Sequence, residues 1–320
     1  MKNLKKILIL ITVLFLTFTW TACSNTTNEG NATEGKGQGT TAQTTETTYP
    51  LTITDDLGNE VTFKKAPKKI VSVAPSNTEI LFALGLGDKV IGRDNYSNYP
   101  KEAQKIKVVG DFSGPNTEAI IDLAPDVVFA FSSIPEDVKK LLEDSNIKVF
   151  IFNPSNIDGV LKNIEAVGQI ADVQKEASKL IESMESKRQE IVEKVKNVEK
   201  KKVFIDIGDF YSAGPDSFMD SMLQEINVKN IAGNTDTAYP QLSLEKIIQA
   251  NPDVYITTAT SKEDIKKLNG IQSTNAFKSD SIVEIPMGTP ENDIIQRSGP
   301  RIVDGLEIFA KAIYPEAFEE

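Results

Sequence analysis

Histidine is missing from all 320 residues of the sequence, and cysteine occurs once, at Cys23. Without histidine the chain can form no Ser-His-Asp or Cys-His catalytic arrangement and no His-ligated zinc or haem site. A single cysteine permits neither an intramolecular disulfide nor a cysteine metal cluster. The sequence therefore predicts no catalytic residues, no metal site and no cofactor.

Positive charge is also scarce. The chain carries 35 Lys+Arg against 46 Asp+Glu, a net charge of −11, and only four of the basic residues are arginines. This balance argues against a nucleic-acid partner, because nucleic-acid binding needs a basic face. The hydrophobic content of 40% is ordinary for a globular protein, and the length is sufficient for two domains.

The first 23 residues have the pattern of an export signal. Three lysines among the first six residues precede an almost wholly apolar run at 7–18, which is short for a transmembrane helix. The run ends at Trp20-Thr21-Ala22-Cys23, which resembles a bacterial lipobox with Trp20 where an aliphatic residue is usual. We predict a lipoprotein signal peptide at 1–22 and lipidation of Cys23 on the extracytoplasmic face of the cell membrane. An ordinary secretory signal or an uncleaved anchor are the alternatives.

A polar segment follows the cysteine. Of the 25 residues at 24–48, 19 are Ser, Thr, Asn, Gln or Gly, and Val, Leu, Ile and Phe are absent. Such a composition buries too little apolar surface to offset the entropy of ordering. We therefore predict that 23–48 form a lipid-anchored, flexible tether.

From residue 49 onward, short β-branched runs alternate with helical patterns, which predicts parallel α/β sheets. The predicted strands are 70–73, 127–131, 149–152, 203–207, 254–257 and 282–285. An internal repeat reads EAIIDLAPDV from Glu118 and EKIIQANPDV from Glu245, 127 residues later. Each glutamate comes two residues after a possible N-cap, Asn116 or Ser243, and Pro-Asp ends each helix. The repeat predicts a pseudo-symmetric protein with two lobes.

A long amphipathic helix is predicted at 173–196, midway between the two repeats. It is either a surface helix of one lobe or a rigid strut between the lobes, and its position favours the strut. We accordingly predict an N-terminal lobe at 49–172, a bridging helix at 173–198 and a C-terminal lobe at 199–320. A single helical strut should permit only slight closure of the cleft.

Five stretches between residues 66 and 307 resemble the substrate-binding proteins of ABC importers for vitamin B12, ferric siderophores and haem. They read APKKIVSVAPSNTEILFALGLGDKVIG, YSNYPKEAQKIKVVGDF, NTEAIIDLAPDVVFA, YPQLSLEKIIQANPDVYI and RSGPRIVDGLE. The resemblance implies two Rossmann-like lobes bridged by one long α-helix, with a ligand cleft between them. The cobalamin binders are the most similar members, since their SDYP segment appears here as Ser97-Asn98-Tyr99-Pro100.

The resemblance also implies which residues meet the ligand and the membrane permease. The expected cleft residues are Tyr96, Phe112, Phe131, Tyr211, Tyr239 and Arg297, whereas Arg301 is expected to be structural. For each aromatic residue, core packing is the alternative. Glu118 and Glu245 match the glutamates that dock into arginines of the permease, although a glutamate at either place also suits the helix dipole.

We therefore expect a monomeric solute-binding protein, not an enzyme, that delivers a corrinoid, cobalamin in particular, to an ABC permease dimer with its ATPase. The small arginine set favours a corrinoid or a ferric hydroxamate siderophore over an anionic catecholate. The alternatives from other classes are an extracytoplasmic chelatase-like enzyme and a sensor or adhesin without a permease.

Four aspartates lie close together in the sequence, at Asp206, Asp209, Asp216 and Asp220. Their spacing is not that of an EF-hand, so we expect a solvated acidic loop.

Overall fold

The computed structural model describes residues 46–111 and 114–319. The described chain begins with a hairpin in which β1 (Leu51–Thr54) pairs antiparallel with β2 (Glu60–Phe63). Side chains alternate along β2 between solvent and interior, so that Val61 and Phe63 reach the core. Just before the hairpin, the Thr47 backbone N–H donates to Asp172 at 2.7 Å.

The first lobe is built on a sheet with the strand order β6-β5-β4-β3-β7-β8. Its strands are β3 (Ile70–Ser72), β4 (Val90–Asp94), β5 (Val108–Asp111), β6 (Gly114–Pro115), β7 (Val127–Phe131) and β8 (Lys148–Phe152). Its helices are α1 (Pro75–Ala83), α2 (Thr117–Leu123), α3 (Glu136–Asp144) and α4 (Ile157–Ala171). All neighbouring strands are parallel except β5 and β6. Strand β7 is apolar along its whole length because helices cover both faces of the sheet.

The second lobe repeats this architecture on a parallel sheet with the order β10-β9-β11-β12. Its strands are β9 (Lys202–Asp206), β10 (Lys229–Asn230), β11 (Val254–Thr257) and β12 (Ile282–Glu284). Its helices are α6 (Phe218–Glu225), α7 (Leu244–Ala250), α8 (Lys262–Lys266), α9 (Asn275–Lys278), α10 (Pro290–Gln296) and α11 (Ile302–Ile313). Short 3₁₀ segments lie at Gly87–Lys89, Lys101–Lys105, Ile271–Ser273 and Pro315–Ala317.

One long helix joins the lobes. It is α5 (Gln174–Val195), whose 22 residues span about 33 Å. Ala177, Met184 and Ile191 recur every seven residues on its buried face. Its Arg188 binds α4 of the first lobe through Asp158 and α6 of the second lobe through Glu225, the latter at 2.6 and 2.8 Å. The bridging helix is thus tied to both lobes.

The hydrophobic core is continuous through the bridge. One cluster includes Phe129 of the first sheet, Met184 of α5, Ile205 of the second sheet and Phe309 of α11. The opposite face of each sheet has a smaller core of its own, covered by α2 and α3 in the first lobe and by α7, α8 and α9 in the second. Together these features form the predicted α/β architecture of two lobes bridged by one long helix.

The internal repeat is a repeated helix–strand unit. In each lobe the predicted cap residue accepts a backbone N–H bond, Asn116 at the start of α2 and Ser243 at the start of α7. Both helices end in a left-handed residue, Ala124 or Asn251, with φ of 45° or 52°. The strand that follows, β7 or β11, is central in its sheet. The six predicted strands are confirmed within one residue at each end.

Several strands were not predicted, namely β1, β2, β4, β5, β6 and β10. Within the described residues, no helix has the length and apolar character needed to cross a membrane.

Candidate functional site

Large apolar side chains are exposed in loops at one edge of both sheets. Tyr96 and Tyr99 follow β4, Tyr211 follows β9, Met287 follows β12, and Tyr239 precedes α7. Their exposed fractions range from 44% to 67%, although side chains of this size are usually buried. The carboxyl ends of parallel strands, where these loops begin, are the usual ligand-binding edge of an α/β sheet. The arrangement therefore supplies apolar contact surface at this edge of both sheets.

In the first lobe, a buried aspartate orders the loop that carries Tyr96. Asp94, the last residue of β4, is 5% exposed and accepts the Tyr96 backbone N–H at 2.7 Å. Its other oxygen accepts the Ser97 hydroxyl. The Ser97 hydroxyl oxygen in turn lies 2.8 Å from that of Thr78 in α1. The Tyr96 loop therefore rests on a buried chain of hydrogen bonds.

In the second lobe, a strained turn presents Tyr211. Gly208, Asp209 and Phe210 have φ of 122°, 50° and 61°, so three successive residues lie at positive φ. This region is unfavourable for residues other than glycine. The turn is held by Asp206, the last residue of β9, whose carboxylate accepts the backbone N–H groups of Gly208 at 2.9 Å and Phe210 at 3.2 Å. Tyr211 follows directly.

Asp206 has a second donor, the hydroxyl of Tyr255 in β11, at 2.7 Å. Burial, and after it the neighbouring Asp206 carboxylate, raises the pKa of Tyr255, so this phenol keeps its proton. Asp206 is 1% exposed and Asp220 is 3% exposed. The expectation of a solvated acidic loop was therefore wrong for these two residues, because each carboxylate accepts buried hydrogen bonds, Asp220 from Asn230 and Gln224.

Tyr239 lies on a segment that pairs with the Tyr211 loop. The Ser212 backbone N–H donates to the Pro240 carbonyl at 2.9 Å, and that of Gly214 donates to the Ala238 carbonyl at 2.8 Å. A Cβ at Gly214 would lie 2.2 Å from the Thr237 carbonyl oxygen, so only glycine permits this approach. The pairing places Tyr211 and Tyr239 on adjacent segments of the second lobe.

A buried ion-pair cluster joins the lobes beside these loops. Glu79 of α1 has a side chain 2% exposed and accepts Arg301 at 2.7 and 2.8 Å and Arg297 at 3.2 Å. Both arginines belong to the second lobe. Burial alone lowers the pKa of Arg301, but the hydrogen bonds and charge of Glu79 outweigh burial and raise it. The guanidinium therefore stays charged.

The two arginines also hold the first lobe's aromatic loop. Arg297 donates to the Asn98 side-chain oxygen at 2.7 Å and to the Tyr96 carbonyl at 3.4 Å. The Arg301 guanidinium carbon lies 3.8 Å from the centre of the Tyr99 ring, a cation–π contact. Thus the structure brings Arg297 and Tyr96 together.

The predicted ligand residue Phe131 is not among the exposed residues of this edge. Phe131, the last residue of β7, is only partly exposed and packs against the main core. Phe112 and the lipidation candidate Cys23 lie outside the described residues. Sequence reasoning missed Tyr99 and Met287 as exposed residues of this edge. The signal for Tyr99 was its place in the YSNYP segment, and the signal for Met287 was a methionine in the Pro286-Met287-Gly288 turn that follows a predicted strand.

Glu118 and Glu245 occupy equivalent places in the two lobes. Each is an exposed residue in the first turn of its helix, α2 or α7, and each helix covers the outer face of a sheet. Bonds to its own backbone amide and to the Ser243 hydroxyl hold the pKa of Glu245 below its usual value. Since helices α2 and α7 run antiparallel to the following strands, their N-termini face the same edge as the exposed tyrosines.

A depression of about 480 Å³ lies beside the Tyr96 loop, lined by residues that include Asn95, Gly110 and Asn116. No group of three or more acidic or sulfur side chains within 46–111 and 114–319 is arranged to hold a metal ion.

Residues 70–287 match the family model described as periplasmic binding protein. The chain belongs to this family. Its folded body therefore shares both the sequence pattern and the two-lobed architecture of binding proteins, and the resemblance to substrate-binding proteins of ABC importers is confirmed.

Three similar proteins illustrate the relationship. An uncharacterized ABC transporter substrate-binding lipoprotein of Bacillus subtilis, YvrC, is 40% identical over 283 residues, which cover 85% of this chain and 88% of the relative. A cobalamin-binding protein of Halobacterium salinarum is 28% identical over 280 residues, with coverage of 83% and 74%. The crystal structure of a possible iron-binding, periplasmic solute-binding protein of Staphylococcus epidermidis superimposes with a TM-score of 0.69 at 32% identity, covering 78% of this chain and 100% of that one.

Proposed function

We propose that this substrate-binding protein captures a corrinoid, cobalamin in particular, between its two lobes and delivers it to an ABC permease. The observation that carries the proposal is the set of exposed side chains at the carboxyl edges of both sheets, namely Tyr96, Tyr99, Tyr211, Tyr239 and Met287. A tyrosine offers a broad apolar face and a polar tip, which suits a large ligand with an apolar ring and polar substituents.

These side chains supply a substantial part of the free energy that tight ligand binding needs. A nanomolar dissociation constant needs about −12 kcal/mol. Fully burying a side chain of this size contributes roughly 1.5–3 kcal/mol. Because these five side chains are already about half buried, covering them with one ligand contributes roughly 4–8 kcal/mol of that energy. Hydrogen bonds to the tyrosine hydroxyls add to this, and the costs of association are reduced when the loops are ordered in advance.

The arginines support a ligand of low negative charge. All four are within the described residues, and each is engaged internally. Arg93 donates to backbone carbonyls of Asp94, Ala103 and Gln104, and Arg188 pairs with Asp158 and Glu225. Arg297 and Arg301 share Glu79. A strongly anionic ferric catecholate would have to recruit arginines away from these partners at a cost.

The cobalamin-binding relative supports the corrinoid, whereas the possible iron-binding protein favours a second candidate, a ferric hydroxamate siderophore. Separate calorimetric titrations with cyanocobalamin, ferrioxamine B and haemin distinguish them. We expect submicromolar binding of cyanocobalamin alone. Heat with ferrioxamine B and none with cyanocobalamin would replace the first candidate by the second.

Within the cleft we assign ligand contact to Tyr96, Phe112, Phe131, Tyr211, Tyr239 and Arg297. The contribution of Tyr239 is tested by Tyr239→Ala, which should weaken cyanocobalamin binding about tenfold. Tyr49→Phe is the matched control, because Tyr49 bonds the Ile170 carbonyl at 2.8 Å on α4, away from the strand ends. Equal affinity of Tyr239→Ala and the unaltered protein would remove Tyr239 from the site.

Glu118 and Glu245 are assigned to permease docking. Equivalent exposed glutamates on two similar lobes suit a two-fold permease, and charge complementarity sets orientation and encounter rate. The double variant Glu118→Ala/Glu245→Ala should bind ligand normally but lose uptake in cells that carry the permease and its ATPase. Glu136→Ala/Glu263→Ala is the matched control, since both are exposed first-turn glutamates of other helices. Intact uptake in the first variant would refute the docking role.

We further propose that Cys23 is lipidated and that the protein sits on the extracytoplasmic face of the cell membrane, after removal of 1–22, as a monomer on a tether of residues 23–48. The lipoprotein relative supports this location. Cys23→Ala should abolish incorporation of labelled palmitate and release the protein into the medium. Retention of label in Cys23→Ala would disprove the assignment.

We also propose that the two lobes span 49–172 and 199–320, with the bridging helix at 173–198. In the same proposal, the protein binds its ligand without catalysing a reaction. Incubation with cobalamin or a metal-free porphyrin should return the compound unchanged. Turnover would instead favour the chelatase-like alternative, and normal ligand binding without any permease-dependent uptake would favour a sensor or adhesin.

A further inference from the structure

Each lobe ends one strand in a buried aspartate that organises an aromatic loop. Asp94 ends β4 and Asp206 ends β9. In both, one carboxylate oxygen accepts a backbone N–H two residues later, and the other accepts a side-chain hydroxyl, from Ser97 or from Tyr255. The loops that begin there carry Tyr96 and Tyr211.

The two aspartates are not copies of one residue of the repeat. The internal repeat aligns β11 of the second lobe with β7 of the first. In the strand orders β9-β11-β12 and β3-β7-β8, the neighbour that corresponds to β9 is therefore β3. Asp206 therefore corresponds in position to the end of β3, whereas Asp94 ends β4. Because the same arrangement occurs at two non-equivalent strand ends, the internal duplication does not explain it, and a shared task at the ligand-facing edge does.

Two partly buried aspartates that accept backbone N–H bonds lie at the opposite edge of the sheets. Asp126, just before β7, accepts the backbone N–H groups of Lys68 and Lys69 at 2.7 and 2.9 Å. Asp253, just before β11, accepts the Lys202 backbone N–H at 2.8 Å and the Asn275 side chain at 2.7 Å. Each of these carboxylates accepts two hydrogen bonds, as Asp94 does, but the segments that they order carry none of the exposed tyrosines. They show what a purely structural aspartate does in this fold.

We propose that Asp94 and Asp206 are positioning residues that hold Tyr96 and Tyr211 in the conformation that receives the ligand; this inference rests on the proposed function. Residues Tyr96 and Tyr211 are 52% and 44% exposed, so core packing does not fix their side chains. Their placement comes from the backbone beneath them. Ordering that backbone before the ligand arrives removes an entropic cost from binding.

The need for a carboxylate that holds the backbone is most evident at the strained turn of the second lobe. Positive φ at Asp209 and Phe210 is unfavourable for side chains with a Cβ, and it persists only where surrounding structure imposes it. The two backbone N–H bonds to Asp206 impose it here. Without that carboxylate the turn should relax toward negative φ, and Tyr211 would move with it.

The first experiment uses fluorine NMR to monitor the environment of each tyrosine ring. The protein is labelled with 3-fluorotyrosine, which gives seven fluorine resonances for seven tyrosines. Tyr96→Phe and Tyr211→Phe assign two of them. We expect Asp94→Ala to shift or broaden the Tyr96 resonance and leave that of Tyr211, and Asp206→Ala to do the reverse. Asp126→Ala and Asp253→Ala should leave both unchanged. Unchanged Tyr96 and Tyr211 resonances in the two cleft variants would overturn the proposal.

Conservative variants test the same proposal in case the alanine variants do not fold. Asp206→Asn keeps one oxygen for the Gly208 and Phe210 amides, and Tyr255→Phe removes a single bond to Asp206. Each should shift the Tyr211 resonance less than Asp206→Ala does. Ser97→Ala is the corresponding variant for Asp94 and should act on Tyr96 alone.

The second experiment measures the dissociation constant for cyanocobalamin. We expect Asp94→Ala and Asp206→Ala to raise it at least tenfold and Asp206→Asn to lie in between. The controls Asp126→Ala and Asp253→Ala should stay within twofold, even where they lower the melting temperature as much. Controls that weaken binding equally would reduce Asp94 and Asp206 to general stability residues and overturn the inference.

The outcomes separate this inference from the proposed function. If the unaltered protein binds neither cyanocobalamin nor ferrioxamine B, the ligand assignment is wrong, and the fluorine spectra alone then support or overturn the positioning of the tyrosines. If the unaltered protein binds and the cleft variants bind equally well, the proposed function stands and the positioning role falls.

Discussion

The ion-pair cluster between the lobes gives the sharpest prediction of stability. Glu79→Gln keeps the volume of the side chain but removes the charge that Arg301 and Arg297 share. The Glu79 side chain is 2% exposed, and those of the arginines are 18% and 11% exposed, so water cannot replace the lost partner. Breaking a buried pair by removing one member costs roughly 3–5 kcal/mol.

The structure narrows that range. Arg297 keeps a second carboxylate, Asp293 at 2.8 Å, whereas Arg301 has Glu79 as the one carboxylate partner seen among the described residues. The uncompensated charge is therefore mainly that of Arg301, and we expect a loss of about 3 kcal/mol, the lower end of the range. For a large domain, 1 kcal/mol moves the melting temperature by about 2–4 °C, so the fall should be on the order of 6–12 °C.

Thermal and urea unfolding followed by circular dichroism measure this loss. Asp144→Asn is the control, since its pair with Lys140 is exposed at both ends and should contribute less than about 0.5 kcal/mol. The double variant Glu79→Leu/Arg301→Met removes both charges and should be more stable than Glu79→Gln. A loss below about 1 kcal/mol for Glu79→Gln, or no recovery in the double variant, would refute the reasoning about buried charge.

Three further predictions concern other parts of the molecule. Gly168→Ala in α4 places a Cβ 2.6 Å from that of Ala177, and overpacking should cost about 1–3 kcal/mol in urea unfolding. Ser243→Ala removes a hydrogen bond that lowers the pKa of Glu245, so the NMR-titrated pKa of Glu245 should rise. Because that folded-state pKa is depressed, the capping contribution is present above the unfolded pKa and is lost as pH falls through the folded value. Met287→Ser should leave the melting temperature unchanged and weaken cyanocobalamin binding roughly tenfold, since Met287 is 67% exposed.

Local sequence patterns predicted the elements that are built from contiguous residues. The strand Val127–Phe131 has the predicted bounds, and the helix Gln174–Val195 lies within one residue of the predicted 173–196, because strand and helix periodicities are properties of neighbouring residues. The strand Val90–Asp94 was missed because it contains Arg93. That guanidinium is buried, but its donors meet backbone carbonyls at Asp94, Ala103 and Gln104, which no local pattern shows.

The candidate site depends more on contacts between distant residues. Asp206 looked like part of a polar loop, and only the approach of Tyr255, 49 residues later, shows that it is buried. Arg297 was expected in the cleft, but its bond to Glu79 spans 218 residues of sequence and uses part of the guanidinium. The exposed tyrosines were predictable as loop residues, whereas the groups that hold them were not.

The continuous core has a consequence for how the chain is assembled. The buried face of α5 contributes Met184 and Ile191 to a cluster that α11 (Ile302–Ile313) completes, and Tyr314 at its end donates to the Asn227 carbonyl at 2.6 Å. A ribosome makes α5 more than a hundred residues before α11. Until α11 has been made, the apolar stripe of α5 stays uncovered on the side that α11 will occupy, so the nascent chain exposes this apolar surface while the residues between the two helices are synthesised.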